Sequence, residues 1–185
     1  MSIKFICSIT INNASTDLYI DEEYFAEHVQ RDHGISVEMV RDMATTASFT
    51  VPVEGFRSGC CTVDCGRVIG KDNLVVTDAS DIIVMFARGN RAPSRMVPYR
   101  EAEDTSKMVL VVGYPPEAEY EGKLVLYTAY PGTLGEREPN ERMTEAELAK
   151  SKAFWACHAL VPTKDQLAQM KEAGLLQPSS MMVTK

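Results

Sequence analysis

At 185 residues, 45% apolar and 24% charged, the chain has the bulk and composition of one globular domain rather than a disordered or fibrous polymer. A net charge of −7 and a pI near 5.0 exclude binding of phosphate polymers through the overall field, so any nucleic-acid contact must come from a local patch. No apolar run approaches the ~18 residues of a membrane span, which excludes a helical membrane protein.

The predicted elements begin with a strand. Ile3, Phe5, Cys7, Ile9 and Ile11 alternate with Lys4, Ser8, Thr10 and Asn12, with Ile6 the only break. That period is not the greasy core of a signal peptide, and no small-x-small cleavage site follows. The five cysteines are an odd number, which argues against a complete disulfide framework. With no export signal they read as reduced thiols, and the expected compartment is the cytoplasm.

Asn12–Asp17 reads as a turn. Asp21 then supplies an N-cap, with Glu22 and Glu23 complementing the helix dipole, for a helix running to about His33 and stopping at Gly34. Ser36 caps a second short helix with Val37, Val40, Met43 and Ala44 at helical spacing. From Phe49 the texture turns to short β-type runs: Phe49–Val53, Cys61–Ile69, Leu74–Thr77, Ile82–Ala87, Met108–Tyr114 and Lys123–Tyr130. The last two, joined by Pro115–Gly122, predict an antiparallel hairpin with a long tip. Long loops are expected between Arg88 and Lys107 and between Pro131 and Met143.

Helix returns at Thr144-Glu145-Ala146-Glu147, a capping box opening a helix that carries Leu148, Phe154, Trp155 and Leu160 and ends at Pro162. Thr163 with Gln166 opens a last helix ending at Gly174, and the tail from Gln177 is expected to fray. With no internal repeat and no low-complexity linker, the expectation is a single domain over residues 1–185.

Three constellations carry candidate chemistry. The first is His28-Val29-Gln30-Arg31-Asp32-His33-Gly34-Ile35, an H-x4-H-G pattern. Five residues on an α-helix span roughly 140° of rotation, so the imidazoles should not lie side by side and make a poor zinc pair. His28, sharing a face with Phe25 and Val29, reads as inward-pointing. His33 at the helix end, where exposed carbonyls favour the imidazolium, can act as acid or base near neutral pH or serve as a C-terminal cap. The second is Phe86–Arg100, with four arginines in fifteen residues and no carboxylate. Arg88, Arg91 and Arg95 can present planar forks to phosphate, or can pair with the surplus of Asp and Glu. The third is the final strand, where alternation puts Thr128 and Tyr130 on one face just before Pro131-Gly132. There hydroxyls can line a cleft, although Thr and Tyr are also ordinary strand residues.

Cys60, Cys61 and Cys65 lack the paired C-x2-C spacing of a zinc site, and His158 in its apolar stretch reads as core. The chain carries no phosphate-cradling glycine loop, no nucleophile elbow and no dinucleotide fingerprint, so neither a metal nor a cofactor is expected.

A helix with H-x4-H-G-I, a short second helix, a sheet, and a last strand reading V-L-Y-T-A-Y-P-G resemble, in that order, the barnase–EndoU–colicin–RelE nuclease superfamily, in its phage-associated and toxin-like branches. The matched motifs, His28–Ile35 and Val125–Gly132, bracket a nuclease-like core at about residues 20–132, with a C-terminal helical extension at about 144–176. The resemblance implies an α+β fold with N-terminal helices packed on an antiparallel sheet, followed here by C-terminal helices. It implies a metal-independent ribonuclease acting on RNA, with a cognate inhibitor protein as a possible partner. His28 and His33 match the family's helix histidines, and Thr128 and Tyr130 its last-strand hydroxyls; no motif fixes which arginine holds phosphate. The competing expectation is a non-enzymatic interaction module (an immunity, regulatory or phage accessory protein), for which an acidic surface is natural.

Overall fold

The structure, a computed structural model, describes residues 2–11, 13–49, 58–87 and 93–176. They form two compact units, each built from two separate stretches of chain: Met1–Asp72 with Asp104–Leu134, and Asn73–Glu103 with Gly135–Lys185.

The first unit is a six-stranded sheet. Its strands are β1 (Ile3–Ile11), β2 (Ala14–Asp21), β3 (Ser48–Phe49), β4 (Ser58–Asp64), β10 (Lys107–Gly113) and β11 (Leu124–Pro131), in the order β3-β1-β2-β11-β10-β4. This corrects the expected architecture. A strand comes first, as the alternation of Ile3–Ile11 predicts, and not the N-terminal helices of the fold that the nuclease resemblance implies; the sheet is mixed, because β3 pairs parallel with β1 and β2 parallel with β11. The segment read as a turn is mostly strand. Ile11 pairs with Ala14, and Asn13 takes a positive φ of 66°. Asn tolerates that conformation better than most residues, as tight hairpins require.

The break in alternation at Ile6 is a β-bulge: Phe5 pairs with Tyr19 and Cys7 with Leu18, leaving Ile6 outside the ladder. Its carbonyl accepts instead from the Arg41 Nε at 3.1 Å. Arg41 lies on α3 (Val37–Thr46), which begins where the Ser36 hydroxyl accepts from the Met39 N–H. Val40 and Ala44 are fully buried, and Val37 and Met43 pack against the same core of Leu18, Ile20, Met108, Leu110, Leu124 and Leu126. Burial of this kind is what the apolar periodicity encodes; each fully buried Leu or Ile is worth about 1.5–3 kcal/mol. The hairpin of β10 and β11 is antiparallel as expected, with its tip turning through Ala118–Tyr120.

Between β2 and α3 the chain forms one helical run: α1 (Glu22–Tyr24), a π-helical stretch over Phe25–Gln30, and α2 (Arg31–His33). Asp21 is buried at its start. Its Oδ1 accepts from the Glu23 and Tyr24 N–H groups, and its Oδ2 from the Tyr120 hydroxyl at 2.9 Å. Gly34 ends the run in the left-handed region at φ 68°. A two-stranded ribbon of β5 (Gly70–Asp72) and β9 (Glu103–Thr105) completes the strand inventory of this part.

The second unit holds a four-stranded sheet in the order β6-β12-β8-β7, from β6 (Leu74–Val76), β7 (Val84–Phe86), β8 (Ser94–Met96) and β12 (His158–Leu160). Part of the long loop expected after Arg88 is therefore strand. The helix expected to reach Pro162 is α4 (Glu145–Ala156), which stops at Cys157; the next three residues pair with β6, burying Ala159 opposite Val75. Both C-terminal capping boxes form, at Thr144 and at Thr163, the latter opening α5 (Lys164–Glu172). The segment before α4 is pinned to that helix. The Ser151 hydroxyl donates to the Arg137 carbonyl at 2.7 Å and the Trp155 indole to the Glu136 carbonyl at 3.0 Å. Among the described residues no helix is long and apolar enough to cross a membrane. The expected strand residues 50–53 and the tail from Gln177 lie outside the described residues.

Candidate active site

Four of the sequence-predicted residues meet in the first unit. The rings of His28 and His33 have centroids 5.0 Å apart, and those of His33 and Tyr130 are 5.9 Å apart. His28 Nε2 lies 3.4 Å from the Thr128 hydroxyl.

The α-helical argument from five-residue spacing predicted the opposite for the two imidazoles. The π-helical stretch explains the difference. Its hydrogen bonds run i→i+5, and the Arg31 N–H reaches back to the Ala26 carbonyl. A turn widened by one residue brings side chains five apart toward one another instead of roughly 140° away. Phe25 and Val29 are buried as expected, but His28 does not follow them inward: its side chain is 36% exposed. The core reading of His28 is thereby corrected.

A second irregularity prepares the facing strand. In the β10–β11 ladder Val111 pairs with Thr128 and Val112 with Leu126, so Tyr127 is an extra residue, a β-bulge. Bulges re-aim side chains beside sites. Beyond it, paired positions put Thr128 with Val111 and Cys60, and Tyr130 with Val109. This face is opposite the one that carries Leu110, Ala129 and Cys61. Tyr130 is half-buried, and its phenol is raised above the ordinary value by burial first, then by Cys60 and Asp72.

The electrostatics also differ from expectation. His33 was expected to favour the imidazolium at a helix end. Its pKa instead lies below the usual 6.5, because burial penalises the charge and His28 adds like-charge repulsion; Asp32 opposes both. The half-buried ring is taken out of water, and that outweighs the carbonyls of a helix end only three α-helical residues long.

Two residues that sequence reading passed over complete the cluster. Asp32 Oδ2 lies 3.4 Å from His28 Nδ1, while its Oδ1 accepts from the Arg31 Nε at 2.9 Å. Its carboxyl is held below the usual range by the Arg31 hydrogen bond first and by His28 after burial is overcome. Tyr24, exposed, sets its ring 5.3 Å from His28. Both stand four residues from His28, the neighbour spacing of a helix surface, which was the available signal.

Arg88 and Arg91 lie outside the described residues. Arg95, on β8 in the second unit, spends its guanidinium on main-chain carbonyls, with Nε on His158 at 3.2 Å and Nη2 on Ala156 at 3.5 Å. His158 is half-buried, stacked on Phe154 at 3.8 Å. The five cysteines are free thiols; burial pushes Cys61 up to about 12 and raises Cys60 and Cys65. Among the described residues no group of three or more His, Cys, Asp or Glu is arranged to hold a metal.

No family model and no curated protein matches the chain. Among solved structures it is similar to a conserved hypothetical protein of Toxoplasma gondii ME49, at a TM-score of 0.53 and 12% identity, over 78% of this chain and 93% of that one. At that identity the likeness describes the fold alone.

Proposed function

We propose that the Tyr24–His28–Asp32–His33–Thr128–Tyr130 cluster is an acid–base site that cleaves RNA without a metal, in the manner of the toxin-like nucleases whose motifs the chain resembles. The observation that carries this reading is the pair of imidazoles 5.0 Å apart, flanked by two hydroxyl-bearing side chains of the last strand. The resemblance is one of local constellation. The strand-first, mixed sheet departs from the superfamily's helix-first arrangement, so the reading draws nothing from overall fold.

The proposed chemistry needs one group to accept a proton and one to give it. His33, with its depressed pKa, is neutral at pH 7 and takes the proton of the ribose 2′-hydroxyl. The 2′-oxygen attacks phosphorus and the bond to the 5′-oxygen breaks. His28, with a carboxylate on its Nδ1, delivers a proton to the leaving oxygen from Nε2. The products are a 2′,3′-cyclic phosphate and a 5′-hydroxyl, and the two imidazoles end with exchanged protonation. Hydroxyls of Thr128 and Tyr130 donate hydrogen bonds to the phosphoryl oxygens, where charge develops. Burial suits His33 to the base role, and the carboxylate on Nδ1 leaves the Nε2 of His28 free for the acid role.

The test is the full-length protein with total RNA, with and without chelator. The expected result is chelator-resistant cleavage leaving cyclic phosphate ends, abolished by His33→Ala. No cleavage across several salt and pH conditions would overturn it.

A second reading, a partner-binding module, draws on the net charge of −7 and on exposed Val76, Ile82 and Met85 in the second unit. It predicts that His33→Ala leaves partner capture unchanged while Met85→Lys abolishes it.

A further inference from the structure

We infer that Asp32 is a positioning residue: it fixes the tautomer and orientation of His28 so that Nε2, facing Thr128, is the nitrogen on which the proton travels. This rests on the acid–base reading above.

The geometry is a three-part line. Asp32 Oδ2 is 3.4 Å from His28 Nδ1, and His28 Nε2 is 3.4 Å from Thr128 Oγ1. A carboxylate only accepts, so the Nδ1 facing it carries hydrogen. In the neutral ring Nε2 is then the lone-pair nitrogen, accepting from the Thr128 hydroxyl; in the protonated ring it donates. The carboxylate is itself held. Arg31 Nε takes Oδ1 at 2.9 Å, which turns the other oxygen toward His28. Two elements confine the ring from other sides: Tyr24 tilts against it at 5.3 Å, and His33 meets it edge-on at 5.0 Å. The groups facing His28 are thus Asp32, His33 and Tyr24 from its own helical run and Thr128 from β11, with Tyr130 behind His33. Only Asp32 bears a negative charge at neutral pH, so only it distinguishes one ring nitrogen from the other. Distances of 3.4 Å are long for hydrogen bonds, and such contacts tighten when substrate closes the site.

Two features make the assignment more than a surface ion pair. Exposed pairs of this kind contribute little to stability, so Asp32 has no evident fold-keeping task on an exposed helical position. And a second-layer carboxylate on a catalytic imidazole selects one of two chemically different nitrogens, an effect on rate rather than on folding.

The experiment labels histidine nitrogen in the full chain and reads the imidazole tautomer of His28 by long-range nitrogen–proton correlation, beside RNA cleavage by the same samples. The wild type is expected to carry hydrogen on Nδ1 in its neutral form. Asp32→Ala should revert His28 to the Nε2–H form that an unconstrained histidine side chain prefers. It should lower kcat roughly tenfold, a fraction of the 10²–10⁴-fold that acid–base groups supply, with KM nearly unchanged. Asp32→Asn retains an acceptor and should restore the Nδ1–H form with part of kcat. Arg31→Gln, which releases the carboxylate without removing it, should give an intermediate loss. An Nε2–H tautomer in the wild type, or one unchanged by Asp32→Ala, overturns the inference while cleavage by the wild type leaves the ribonuclease reading intact. If the wild type cleaves no RNA, that reading falls, and the tautomer still decides whether Asp32 holds His28.

Discussion

The helix that carries both imidazoles begins at a buried carboxylate, and its anchoring can be tested apart from any activity. Asp21 is 6% exposed and Tyr120 is 8% exposed. One carboxylate oxygen caps two backbone N–H groups at 3.1 and 3.2 Å, and the other accepts from the Tyr120 hydroxyl at 2.9 Å. The phenol is pushed up to about 12, by burial first and then by Asp21, so it is a donor around neutral pH. Tyr120→Phe removes a hydrogen bond to a charged group and leaves a buried oxygen short of a partner, a loss of about 1.5–3 kcal/mol. Asp21→Ala removes the cap, about 1 kcal/mol, and also strands the phenol hydroxyl, about 1–3 kcal/mol more. The two substitutions share one bond, so the double variant should fall short of the sum of the singles. Urea unfolding followed by far-ultraviolet dichroism measures this. With an m-value of about 1–3 kcal/mol/M, the midpoint should drop by roughly 1 M in either single variant. Both singles within about 0.5 kcal/mol of wild type, or strictly additive losses, would refute the role given to Asp21; the lower bound is the scatter of neutral surface changes.

Three further outcomes follow from the site and its turns. Nuclear magnetic resonance titration should place His33 below 6.5; His28→Gln should move it up by removing like charge, and Asp32→Asn should move it down by removing a favourable one. A value at or above 6.5 in the wild type refutes the burial argument. The same shift makes stability pH-dependent: neutral His33 is present in full above 6.5, and its contribution is lost as pH falls from there through the lower folded value, so a His33→Gln variant should flatten the acid side of the stability profile. Gly132→Ala should destabilise by about 1–3 kcal/mol, because φ is 126° and an added Cβ would stand 2.9 Å from the Asp72 carboxylate; a neutral result in thermal unfolding counts against that local packing.

What the sequence disclosed depended on whether the signal was local. Helix starts at Asp21, Ser36, Thr144 and Thr163 and helix ends at Gly34 and Gly174 rest on caps a few residues long, and each stands where expected. The β10–β11 hairpin is two long apolar runs with a turn between them, also local information. The strands that were missed, such as β8 and β12, are three residues long and gain their stability from partners far along the chain. Leu160 pairs with both Leu74 and Met96, a relation no window of sequence contains. β2 was hidden differently, since its first half, Ala14 to Asp17, is largely exposed and lacks the buried alternation of a strand. Among the site residues, His28, His33, Thr128 and Tyr130 were legible as residue types in order, whereas Asp32 and Tyr24 needed the neighbour rule applied to His28. The charge of Arg95 is visible in sequence, but its carbonyl partners, His158 and Ala156, are not.

The convergence of the four predicted residues depends on two single-residue insertions, one in each kind of secondary structure, and they can be separated. The π-helical stretch adds a residue to a turn, and the bulge at Tyr127 adds one to a strand. Neither improves local hydrogen bonding over the regular form, so tertiary packing must hold them. For the helix that packing is Phe25 and Val29 against the core of the first unit. Deleting exposed Ala26 should convert the run to α-helix, returning His28 and His33 to a separation of roughly 140°. Helix content by circular dichroism should persist, and the histidine ring proximity seen as proton–proton contacts should vanish together with any RNA cleavage. Deleting Tyr127 should instead leave a regular ladder, with Thr128 still opposite Val111 and Tyr130 still opposite Val109, so both hydroxyls keep their face and only the local twist that the bulge adds is lost. Retention of the imidazole contact after loss of Ala26 would mean that the five-residue spacing, and not the π turn, brings the rings together, and the physical account of the site would fail there.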